Sequence, residues 1–184
     1  MGFGIFLDLK FHDISNTVAG AVAAAAKLPK VRLLTLHTLG GAAMMRAARE
    51  AVAKKRVRPA LLGVTILTSM DAEALARVGV SGTPTERVLA LARLAQESGL
   101  DGVVASGHEA RAIREACGPE FLIVVPGVRP LHAEPGDQSR VTTPAQAMQA
   151  GANYLVVGRP ITEAKKPREA ARAIAKEIEA AGRA

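Results

Sequence analysis

The chain has 184 residues, 49% hydrophobic and 22% charged, which suits one well-buried domain over residues 1–184 and excludes a membrane-embedded or disordered protein. Its formal charge is +7, from 24 Lys and Arg against 17 Asp and Glu, but the basic residues are scattered. Aromatic content is only 3%, too little to stack on bases, so no nucleic-acid partner is expected.

In chain order, short apolar runs alternate with helical patterns, as βα units on a parallel sheet require. GIFLDL (4–9) predicts the first strand, and the acid inside this apolar run, with no basic n-region or cleavage site, argues against a secretory signal. Val18, Ala21, Val22 and Ala25 recur at helical spacing, with Asn16 the expected N-cap. RLLTLH (32–37) and ALLGVTIL (60–67) predict two further strands, with Met44 and Met45 filling core between them. Thr83-Pro84-Thr85-Glu86 is a capping box ahead of Leu89, Leu91, Leu94 and Ala95. GVVAS (102–106), FLIVVP (121–126) and YLVVG (154–158) bring the strands to six, near-continuously apolar as when both sheet faces are covered. Cys117 reads as packing and has no second cysteine to pair with, so a cytoplasmic location is expected. Residues 127–142, rich in Pro and Gly, form the one long loop and a candidate lid. A second capping box, Thr143-Pro144-Ala145-Gln146, follows, and Ile174 and Ile178 mark the stripe of the last helix. No apolar run reaches the roughly 20 residues of a membrane span.

Asp8, Lys10, His37, Thr68, Ser106, Arg129 and Arg159 fall at or just beyond the C-terminal ends of different predicted strands. Barrel enzymes collect their chemistry there, whereas an open sheet concentrates it at one switch point. No G-x-G-x-x-G run follows a strand, which removes the usual nucleotide-cofactor reading. The fold class expected is α/β, a TIM-type (β/α)8 barrel, incomplete because six βα units are visible.

Asp8 and Lys10 lie two apart at a strand end and so share a face, with Asp13 just beyond. Flanking acids favour the ammonium form, making Lys10 a positioned acid and not a Schiff-base nucleophile. Taken alone, D-x-K-x-x-D equally describes a structural salt bridge. His108 and His132 have no partners at metal-ligand spacing, and no metal or cofactor is expected. His12 reads as a structural hydrogen-bonder; His37 stays unassigned.

DLKFHDISNTV (8–18), LTS (67–69), PGVRP (126–130), GDQ (136–138) and YLVVGRPI (154–161) occur in this order and together resemble the orotidine 5'-phosphate decarboxylase family across nearly the whole chain. The resemblance implies conversion of orotidine 5'-phosphate to uridine 5'-phosphate and carbon dioxide in de novo pyrimidine biosynthesis. It implies that Lys10 protonates C6 while Asp8 sits beside the departing carboxylate. Asp13, Ile14 and Thr17 would reach a neighbouring subunit's site, so a homodimer is implied. Thr68 would contact the pyrimidine, with Pro126 in the same substrate-binding set. Arg129, Gln138, Gly158 and Arg159 would hold the phosphate and close the lid. The chemistry is coherent: a C6 carbanion lies outside the ring's π system, so a fixed cation stabilises it most directly. An arginine fork and a glycine before a helix suit a phosphate.

The family's first two βα units, with an Asp and a Lys, would precede Met1. The six strands expected are therefore the family's third to eighth, with two exposed sheet edges. A start codon misassigned to an internal methionine is preferred here over a fragment or a shortened protein, and a version extended upstream is expected to be more active. The rival readings are a magnesium-dependent sugar-phosphate decarboxylase or aldolase of the same superfamily, and a nucleotide-binding remnant without turnover.

Overall fold

A computed structural model describes residues 2–54, 58–130 and 142–182. Six strands, β1 (Ile5–Phe11), β2 (Val31–His37), β3 (Ala60–Val64), β4 (Gly102–Val104), β5 (Leu122–Pro126) and β6 (Tyr154–Val156), pair in parallel in the order of the sequence. The intervening helices are α1 (Ser15–Ala25), α2 (Gly41–Ala53), α3 (Ala72–Arg77), α4 (Pro84–Glu97), α5 (Ala110–Cys117), α6 (Pro144–Gln149), α7 (Arg159–Thr162) and α8 (Pro167–Ala181).

Strand order decides between the two architectures that alternating βα units allow. A doubly wound sheet reverses its order at a switch point; this one never does. Successive strand residues point to opposite faces, so Leu34 and Leu36 of β2 join Val22, Met45, Ala92 and Ile113 from the helices in one core. Leu33, Leu62, Val64, Val104 and Val124 form a second cluster built only from strands. Helices on the outer face and an all-strand inner face are the layers of a barrel. The six strands make a curled part of that TIM-type architecture. Among the described residues, β1 pairs only with β2, and β6 only with β5.

Local signals account for most boundaries. Both capping boxes form, Thr83 with Glu86 and Thr143 with Gln146. At the N-terminal ends of the strands, Arg58 grips Asp101 through two 2.7 Å hydrogen bonds, and Asp101 also accepts from the Leu61 amide at 2.8 Å. That tie holds the end of the sheet away from the expected chemistry.

Two expectations need correction, and two details were not anticipated. Asn16 does not cap α1: the helix starts at Ser15, so Asn16 lies within its first turn and Ile14 occupies the N-cap without a side-chain bond, its amide donating to the Asp13 carboxylate at 2.6 Å. β3 ends at Val64, since Thr65 turns to hold the Val104 carbonyl through both its amide and its hydroxyl. α3 was not expected, although Asp71 ahead of AEALAR is its cap, accepting from the Ala74 amide. In α4 the fully buried line is Val88, Ala92 and Ala95, while Leu89, Leu91 and Leu94 are only partly covered.

Leu34 is fully buried in the outer core and Leu9 is half exposed. Leu34→Ala should cost about 2–5 kcal/mol in urea unfolding, and Leu9→Ala roughly 0.5 kcal/mol or less. Equal losses would contradict this placement of the core.

Candidate active site

The site begins with an irregularity in β1. Leu7 pairs with Leu34 and Phe11 with Leu36, so three residues of β1 stand opposite the single residue Thr35. Asp8, Leu9 and Lys10 arch out of the ladder, and Lys10 sits in the left-handed region at φ 50°. A non-glycine residue held there costs on the order of 1–3 kcal/mol and persists only where its surroundings fix it. The surroundings here are specific. The buried Thr35 hydroxyl accepts from the Lys10 amide at 2.9 Å and donates to Asp8 Oδ1, also at 2.9 Å. The other oxygen of Asp8 accepts from Lys10 Nζ in an ion pair. Both charged side chains remain about 40% exposed.

Lys10 borders a cavity of about 290 Å³ at the C-terminal ends of the strands, together with Val64, Thr68, Ser69, Val104 and Pro126. Three expected site residues, Lys10, Thr68 and Pro126, therefore meet in one apolar-walled space, with Asp8 bonded to the first. Val64 and Val104 belong to the inner-face cluster, so the same alternation that builds the core also walls the cavity.

The remaining expected residues sit elsewhere. Asp13 and Thr17 are exposed, and Ile14 is 73% exposed on the rim. Arg129 is only 5% exposed; its Nη1 donates to the Val128 carbonyl at 3.1 Å and its amide to the Thr142 carbonyl. It is not part of the Lys10 cavity wall. Gly158 is the N-cap of α7 and Arg159 its first residue; both are exposed, and a Cβ on Gly158 would meet nothing within 4 Å among the described residues. Gln138 and most of the candidate lid lie outside the described residues.

Two features escaped sequence reasoning. Thr35 is the sole hydroxyl-bearing residue in β2, two positions after Leu33 and therefore on the inner face; that parity was its only signal. His37 ends the same strand, with its ring 5.3 Å from that of His12. Burial, then the His12 and Lys10 charges, lower the His37 pKa against the opposing pull of Asp8. Its Nδ1 is buried without a hydrogen-bond partner among the described residues.

Residues 1–174 match the sequence profile of the orotidine 5'-phosphate decarboxylase / HUMPS family. The chain belongs to this family. An orotidine 5'-phosphate decarboxylase of Nitrosococcus oceani is 58% identical over 177 residues, covering 96% of this chain and 76% of that protein. One from Moorella thermoacetica is 57% identical over 184 residues, covering 97% and 73%. The crystal structure of the Lactobacillus acidophilus orotidine 5'-phosphate decarboxylase superposes with a TM-score of 0.83 at 40% identity, over 96% of this chain and 76% of that one. The Pyrococcus horikoshii enzyme gives 0.71 at 27% identity, over 96% and 74%.

The His37 shift fixes a pH dependence. A histidine whose pKa is depressed by folding binds fewer protons folded than unfolded, so stability falls as pH drops through the ordinary value of 6.5 and the loss is complete below the folded pKa. His37→Gln removes that titration. Its Tm relative to the unsubstituted chain should improve between about pH 7.5 and about pH 5; a difference independent of pH would contradict the burial argument.

Proposed function

We propose that this chain converts orotidine 5'-phosphate to uridine 5'-phosphate and carbon dioxide, residues 1–184 acting as one β/α domain. What carries the reading is the ion-paired Lys10 at the wall of a cavity it shares with Thr68 and Pro126, in a chain 57–58% identical to proteins of that name. The family profile spans more than one branch, and these identities favour the decarboxylase.

In this reading the bond from C6 to the carboxylate breaks, its electron pair stays on C6, and carbon dioxide leaves. A proton from Lys10 Nζ moves to C6, and the amine then takes a proton from water. The fixed ammonium is worth most while charge develops on C6, because its orientation is set before the reaction starts. Asp8 sits where it orients Nζ and faces the departing carboxylate. Thr68 and Pro126 hold the pyrimidine. Gly158 and Arg159, exposed at the start of α7, take the phosphate, aided by Gln138. Arg129, held at the end of β5 through its backbone to Thr142, belongs to the same phosphate-binding set.

Asp13, Ile14 and Thr17 lie exposed beside the mouth, which suits a homodimer in which they reach the partner subunit's site. A single buried, unpaired Cys117 suits a cytoplasmic setting. No metal or cofactor enters the scheme.

The experiment is a direct assay of orotidine 5'-phosphate loss. Lys10→Ala should lower kcat by at least on the order of 10²–10³-fold, the loss seen when one preorganised stabilising group is removed. A chelator should leave the rate unchanged. Full activity in Lys10→Ala would overturn the role of Lys10, and chelator-sensitive turnover would move the chain to the magnesium-dependent branch.

A further inference from the structure

We infer that Thr35 is the positioning residue of the active site: one buried hydroxyl sets both the backbone and the ammonium of Lys10, and the rate of decarboxylation depends on that hydroxyl. The inference rests on the proposed role of Lys10 and adds a requirement to it.

Its ground is a closed circuit of bonds. Opposite the arch of β1 the strand ladder has nothing to offer the Lys10 amide, because residues 8 to 10 face a single residue of β2. The Thr35 side chain supplies the missing acceptor at 2.9 Å. A hydroxyl has one proton to give, and Thr35 gives it to Asp8 Oδ1 at 2.9 Å. That leaves Asp8 Oδ2 facing Lys10 Nζ. Lys10 is thus held at both ends by one atom, directly at its amide and through Asp8 at its ammonium. Its left-handed backbone, φ 50°, would relax toward an ordinary strand without that acceptor, carrying Nζ away from the reacting carbon. Thr35 is 0% exposed, covered by the sheet and unable to trade its bonds for water without opening the arch.

Thr35 does not line the cavity, so it acts only through its two partners. Removing it should leave substrate binding almost intact while misplacing the proton donor. An ångström of misplacement costs on the order of 10²-fold in rate.

Steady-state kinetics on Thr35→Val and Thr35→Ser, with Lys10→Ala in parallel, tests this. Valine keeps the shape and loses the hydroxyl; serine keeps the hydroxyl and loses only a methyl. The expected result is a kcat for Thr35→Val lower on the order of 10²-fold with KM changed by less than about threefold, and a kcat for Thr35→Ser within about threefold of the unsubstituted chain. Melting curves establish that each variant is folded. If Thr35→Val does not fold, Thr35→Cys, a weak hydrogen-bonder of similar size, takes its place with the same expected loss. Unchanged kcat in the folded valine or cysteine variant, a rise in KM alone, or no recovery with serine would each overturn the inference. Those results, with Lys10→Ala inactive, would leave the role of Lys10 standing; an active Lys10→Ala would remove that role itself.

Discussion

Where β1 carries three residues against one of β2, the chain gives up regular pairing at the point where its chemistry is presented. The arch from Asp8 to Lys10 is stable only because polar groups that leave the ladder find partners elsewhere: the Lys10 amide on Thr35, the Asp8 carboxylate on Thr35 and on Lys10 Nζ. An unpaired amide there would cost on the order of 1–3 kcal/mol, and the left-handed φ of Lys10 adds to that. Strain at this position is affordable because the opposite end of the sheet is tied through Arg58 and Asp101 and the outer core is fully packed. The result is a charge pair that needs little rearrangement when substrate arrives, which is what electrostatic catalysis asks of a protein.

The barrel-type architecture explains why one ion pair and a set of distant residues can serve one ligand. Each βα unit ends on the same side of the sheet, so Lys10, Thr68 and Pro126 converge although 116 positions separate the first from the last. Arg159, three residues past β6, stands on that side as well. Strand order without reversal makes this convergence a property of the fold.

Much of this was legible in the sequence. The two-residue spacing of Asp8 and Lys10 led to the expectation that their charges meet, which they do, although within the arch and not by strand alternation; the capping boxes at Thr83 and Thr143 fixed two helix starts because their chemistry is local. Thr35 was not legible: a threonine in an apolar strand is unremarkable until the neighbouring strand is seen to bulge against it, and that depends on pairing between residues 25 and 27 positions apart. The His12–His37 contact was hidden for the same reason. Arg129 was expected at the phosphate from its motif; that it would be 5% exposed, with Nη1 on the Val128 carbonyl, depends on packing that the motif does not display. The Asn16 cap failed because the helix already starts at Ser15, which leaves Asn16 inside its first turn and not at the cap.

The central claim is that Lys10, held on its arch, is placed to give a proton to C6. A crystal structure of the chain with uridine 5'-phosphate bound tests it most directly. Lys10 Nζ should lie within roughly 3–3.5 Å of C6, with the left-handed backbone of Lys10 retained and both Thr35 bonds intact. A nucleotide bound with C6 facing away from Lys10, or an arch that straightens on binding, would contradict it.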